Sequence, residues 1–136
     1  MGLAERRASK EFQDTHFPAL QKSVLETAGF EVPLEVNWDS LAVEDQSQLY
    51  AECWPKAYFE PLIAGLKSIT RDQMGKEAVR GALKKIVIQN TAEIYYGDRW
   101  ASFEGGTLTL DHQPTTNVDS VQDRIDGLVV TLEKKL

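Results

Sequence analysis

The segment Trp100-Ala-Ser-Phe-Glu-Gly-Gly-Thr-Leu-Thr-Leu-Asp-His112 spells out a β-hairpin. Gly105 and Gly106 can supply the two positive φ angles of a tight turn, and the flanking residues alternate in polarity as half-buried strands do. A two-residue turn fixes the register: Glu104 opposite Thr107, Phe103 opposite Leu108, Ser102 opposite Thr109, Ala101 opposite Leu110 and Trp100 opposite Asp111. Ala101, Phe103, Leu108 and Leu110 then share an apolar face, and Ser102, Glu104, Thr107, Thr109 and Asp111 a polar one. Trp100 falls with the polar set. It is either an aromatic anchor at a binding surface or a side chain covered by another element, the commoner fate of aromatics in a small domain; a bulge at Gly97 would shift the register toward the second.

Upstream, Ile86-Val87-Ile88-Gln89 is an apolar run without alternation, which predicts a central strand over 85–90 buried on both faces. Thr91 to Tyr96 reads as a further strand or an extension of it, ending at Gly97-Asp98-Arg99. Val32, Leu34, Val36 and Trp38 alternate with period two, and Pro33 makes that segment an edge strand. Helical spacing marks Leu3 to Gln13, Phe17 to Ala28 with Gly29 as its stop, Leu49 to Ile69 interrupted by Pro55 and Pro61, and Arg71 to Lys84 with Thr70 as N-cap. Downstream of the hairpin, Asn117 or Asp119 starts a helix with Val121, Ile125, Leu128, Leu132 and Leu136 on one face. The expected fold is a single α+β domain over 1–136: a small, mainly antiparallel sheet (an N-terminal edge strand, a central strand and the hairpin 99–112) covered by helices, including this amphipathic C-terminal one.

Length and composition agree with one globular domain. The chain has 136 residues, 42% hydrophobic and 26% charged, which disfavours whole-chain disorder. Fifteen Lys and Arg against 21 Asp and Glu give a net charge of −6, so a general nucleic-acid coat is not expected. No apolar run approaches a membrane span, and MGLAERRASKEF lacks the apolar stretch of a signal peptide; a cytoplasmic protein, with no membrane partner, is expected. The single Cys53 agrees with a reducing compartment and reads as a buried, inert thiol.

Searches for chemistry find little. His16 and His112 are too far apart in sequence to suggest a shared metal site, and no metal or other cofactor is expected. His112 lies on the apolar side near the end of the hairpin, where a hydrogen-bonded structural histidine is the plain reading. No nucleophile elbow or Cys/His signature is present, and Gly75 and Gly81 fall inside a helical pattern rather than a phosphate loop. Asp39, Glu44 and Asp45 could pair for acid/base work or bind a cation, but a solvated acidic loop explains them. Residues 31–55 hold six acids (Glu31, Glu35, Asp39, Glu44, Asp45, Glu52) and no base. That block either steers a basic partner or pairs internally with Lys76, Arg80 and Lys84, which repeat along one helix face.

Two functions from different classes follow. The first is a noncatalytic protein-binding module, of the size and acidity of small bacterial inhibitors of the immunity type or of chaperones, binding another, basic protein through Trp100, Ser102, Thr109 and Asp111 of the hairpin and Asp39, Glu44 and Asp45 of the acidic segment. A homodimer through an open sheet edge belongs to the same class. The second is a small enzyme with a pocket formed by Tyr95, Tyr96, Arg99, Trp100 and Asp111. The missing catalytic set favours the first.

Overall fold

The computed structural model describes residues 1–136. In chain order the elements are α1 (Leu3–Thr15), α2 (Phe17–Ala28), β1 (Leu34–Val36), α3 (Trp38–Leu41), α4 (Tyr50–Trp54), a π turn (Pro55–Phe59), α5 (Glu60–Ile69), α6 (Gln73–Ala82), β2 (Lys85–Gln89), β3 (Ala101–Glu104), β4 (Thr107–Asp111) and α7 (Val121–Lys135). The fold is α+β, and the hairpin register is the one that the turn dictates: Glu104 opposite Thr107, Phe103 opposite Leu108, Ser102 opposite Thr109 and Ala101 opposite Leu110. Gly105 and Gly106 have φ of 58° and 85°.

The sheet is mixed rather than mainly antiparallel. Its order is β1-β2-β4-β3, with β1–β2 and β2–β4 parallel and only β3–β4 antiparallel. The reason is topological. The chain leaves β2 and starts β3 at the same end of the sheet but one position farther out, and the hairpin then inserts β4 into the gap, parallel to β2. An expectation of sequential neighbours pairing fails at that insertion.

Three further expectations change. β2 does alternate: Ile86 and Ile88 are fully buried while Lys85, Val87 and Gln89 are half-buried, so one face is packed and the other open. The packed face carries Ile86, Ile88, Phe103, Leu108 and Leu110 against the helices. Residues 91–96 form no strand, because side chains and one isolated backbone bond hold them instead of a ladder: the Asp111 carboxylate accepts from Thr91 N–H (3.0 Å) and Ala92 N–H (3.2 Å), Asn117 Nδ2 donates to the Tyr95 carbonyl (2.6 Å), and Gln113 N–H donates to the Ile94 carbonyl (2.8 Å). The N-cap of α6 is Asp72, whose carboxylate accepts from Gly75 N–H at 2.8 Å, and not Thr70, whose hydroxyl bonds back to the Leu66 carbonyl.

The N-terminal part of the core is built on an aromatic cluster. Phe12 of α1 packs edge-on against Trp54 of α4 (5.0 Å between ring centroids), and Tyr50 stacks on Trp54 at 4.4 Å. Phe17 meets Trp38 at 4.9 Å, which draws α2 and α3 onto the same cluster. Offset and edge-to-face contacts of this kind add directional preference to the burial of large apolar area. On the other side of the helical layer α7 lies against α5 and β3. No helix is long and apolar enough to cross a membrane.

Candidate functional site

The fold buries two of the residues expected at a binding surface. Trp100 is 1% exposed, and its indole Nε1 donates to the Arg124 carbonyl at 2.8 Å. The covered reading holds because α7 supplies the hydrogen-bond acceptor that a buried indole needs. Asp111 is 6% exposed, and besides the two backbone N–H groups its carboxylate accepts from the Thr91 hydroxyl (2.8 Å) and Gln89 Nε2 (3.1 Å). Four donors on one carboxylate make it the clasp of loop 90–96. Ser102 is exposed and Thr109 half-buried on the open sheet face.

The acidic segment stands elsewhere. Asp39, Glu44 and Asp45 are exposed and follow β1, at the opposite edge of the sheet from Ser102, so the fold does not gather all of the expected residues into one patch. Nor do Lys76, Arg80 and Lys84 neutralise the acids. Arg80 lies over the Phe30 ring and Lys84 donates to the Gly81 carbonyl, while Glu35 pairs with Lys85 (3.1 Å) and Glu52 with Lys56 (3.6 Å). Asp39 and Asp45 pair with no cation.

Beneath the C-terminal end of β4 lies a buried polar node. Arg124 of α7 is fully buried and donates to the carbonyls of Asn117 (2.8 Å), Val118 (2.6 Å) and Lys56 (2.9 Å). His112, also fully buried, turns Nδ1 to the Gln113 carbonyl at 2.6 Å, and its own carbonyl accepts from the Tyr58 hydroxyl. The Nδ1 contact requires a proton there, so Nε2, which has no partner, carries the lone pair of a neutral ring. Burial lowers the His112 pKa, with the Arg124 charge acting in the same direction and the Gln113 carbonyl and Asp111 opposing. Burial likewise pushes the Tyr58 phenol well up and the Arg124 guanidinium down. Neither His112 nor Arg124 has exposed surface, and the bonds of the node tie the end of β4, the π turn and α7 together. Cys53 is buried too, and burial reinforced by Glu52 raises its thiol pKa, as an inert cysteine requires.

What faces outward is a cleft of about 790 Å³ between the segment 96–99 and α7. Tyr96, Asp98 and Arg99 line one wall; Asp126, Val130 and Lys134 line the other. Two glycines set its geometry. A Cβ on Gly127 would stand 2.1 Å from the Gly97 carbonyl oxygen, and one on Gly97 would stand 2.6 Å from the Arg124 nitrogen, so only glycines let the loop touch the helix backbone. Tyr96 of the loop is 65% exposed and Val130 of α7 50% exposed, and Tyr95, the other exposed aromatic, directly precedes Tyr96.

Of the pocket expected for a small enzyme, Tyr96 and Arg99 reach this cleft, while Trp100 and Asp111 are packed away from it. The groups whose ionisation is displaced (Tyr50, Cys53, Lys56, Tyr58, His112, Arg124) do not line it. Sequence periodicity missed the α7 wall, since Asp126, Val130 and Lys134 lie off the apolar stripe; their i, i+4, i+8 spacing was the available signal. No protein-family model, curated protein or solved structure matches the chain.

Proposed function

We propose that the chain is a noncatalytic protein-binding module whose contact surface is the cleft between segment 95–99 and α7. The observation that carries this is the exposure of Tyr96 and Val130 on its two walls, in a chain whose other large aromatics, Tyr95 apart, are buried or half-buried. Exposed tyrosine and valine held over a shaped hollow by a glycine-to-glycine contact supply an apolar centre at little ordering cost, and the flanking charges supply a polar rim. The unpaired acids Asp39 and Asp45 remain available to steer a basic partner from a distance, as in an inhibitor of immunity type or a chaperone, without forming the contact itself.

The test is affinity capture from the source organism's lysate with three proteins, each first shown folded by circular dichroism. They are the wild type, the double variant Tyr96→Ser/Val130→Glu, and the triple variant Asp39→Asn/Glu44→Gln/Asp45→Asn. A stoichiometric partner retained by the wild type and the triple variant and lost by the double variant is expected. Retention by the double variant, or no partner at low salt, overturns the assignment.

A further inference from the structure

We infer that the partner at this cleft is a second copy of the chain, the two α7 helices crossing antiparallel about a two-fold axis at Val130. The inference rests on the binding-module reading and names its partner. The outward row of α7 is Asp126, Val130 and Lys134, each exposed and each four residues from the next. From the N-terminus the row reads acid, apolar, base. Reversed and set beside itself, such a row is its own complement: Val130 meets the partner's Val130, and Asp126 meets the partner's Lys134. A two-fold contact demands this, since the same patch serves both copies and every pair occurs twice. In a parallel arrangement the row would set acid against acid and base against base.

Both charged ends are free to make those pairs. Neither Asp126 nor Lys134 forms an ion pair within the chain. Asp126 accepts one hydrogen bond, from Gln122 Nε2 at 2.8 Å, which leaves its second carboxylate oxygen open. Around the row the cleft is balanced, with Asp98, Asp123 and Asp126 against Arg99, Lys134 and Lys135, although the chain as a whole carries −6. The unpaired Asp39 and Asp45 stand at the far edge of the sheet. Two copies can therefore close here without confronting their excess acids.

Helix packing geometry suits the same row. Residues spaced by four form a ridge, and two such ridges packed side by side cross their helices at about 50° with axes about 8–10 Å apart. Gly127 and Thr131, beside Val130 on the cleft wall, are small, so the surface is low where the helices come closest. Successive members of the row are about 6 Å apart along the axis, which puts Asp126 and Lys134 one step on either side of the crossing, before the helices diverge. Tyr96, 65% exposed on the facing wall, then lies over the partner helix and widens the apolar centre. Buried Leu128 and Leu132 seat α7 on α5 and β3, so the row is presented on a fixed support.

Sedimentation equilibrium of the purified full chain tests this. A dimer with a Kd below about 500 μM is expected. Lys134→Asp turns both pairs into acid on acid and Asp126→Lys turns both into base on base, so each variant alone should associate at least about tenfold more weakly. Mixed one to one, the two variants restore both pairs and should form a heterodimer about as tight as the wild-type dimer. Both residues are exposed, and circular dichroism checks that each variant is folded. Wild-type association weaker than about 500 μM overturns the inference, as does a dimer that either single variant leaves intact, or a mixture that fails to associate. The module reading is judged separately, by whether lysate capture yields a partner that Tyr96→Ser/Val130→Glu loses.

Discussion

Arg124 Nη2 donates to the Lys56 carbonyl at 2.9 Å, closing a gap that Pro61 opens. In the π turn the Glu60 N–H reaches back to the Pro55 carbonyl, and the next residue, Pro61, has no N–H to give to Lys56. A buried carbonyl without a donor is costly, and the guanidinium of a helix 68 residues away supplies one. The same guanidinium holds the carbonyls of Asn117 and Val118, so one side chain pins the π turn and the approach to α7 together.

Arg124→Met should therefore destabilise the fold by about 3–5 kcal/mol, since it strands three carbonyls at once. Arg124→Lys should recover less than half, because an ammonium cannot reproduce the planar fork. Urea unfolding followed by tryptophan fluorescence measures both, and a loss under about 1 kcal/mol for Arg124→Met would remove Arg124 from this role.

Acid should weaken the protein partly through His112. Its folded pKa lies below its unfolded one, so the folded state binds that proton less readily. The stabilisation is complete above the unfolded value, about 6.5, and is lost as pH falls through the folded value. His112→Gln should unfold more easily than wild type at pH 7.5, yet lose less stability between pH 7.5 and 5. Equal losses in the two proteins would show that carboxylates alone set the acid limb.

Two glycine-to-alanine changes should move stability in opposite directions. Helix propensity favours alanine by about 1 kcal/mol in each case. At Gly81 of α6 a new Cβ meets nothing within 4 Å, so Gly81→Ala should stabilise by about 0.5–1 kcal/mol. At Gly127 the Gly97 carbonyl oxygen lies 2.1 Å from that position, and backbone cannot swing aside as a flexible side chain can. Gly127→Ala should cost about 1–3 kcal/mol net and release segment 95–99 from α7. Thermal melts of the two variants, with opposite signs of ΔTm expected, check the geometry.

Asp111→Ala should free the loop that carries Tyr96. The carboxylate holds Thr91, Ala92 and Gln89, and its loss leaves those donors to water. Amide exchange at Thr91 and Ala92 should accelerate by about tenfold or more, ahead of the core strands. Unchanged exchange at both would show that the loop is held without the carboxylate, by the Gln113 N–H on the Ile94 carbonyl and Asn117 on the Tyr95 carbonyl.

Local chemistry was legible along the chain. The Gly105-Gly106 turn and its alternating flanks set the hairpin register, Gly29 ended α2, and the 3.6-residue pattern of Leu128 and Leu132 marked the buried face of α7. Each of these depends on residues adjacent or nearly adjacent in sequence, whose geometry the backbone itself restricts. The parallel pairing of β2 with β4, the burial of Trp100 and the use of Asp111 as a loop clasp depend on partners supplied from 19 to 24 residues away or on strand insertion. The candidate site belongs to the second kind. Tyr96, Gly97 and Arg99 meet Asp126, Gly127, Val130 and Lys134 only because α7 lies against β3, and hydrophobic pattern marks the face of α7 that is buried, not what its outward face will meet.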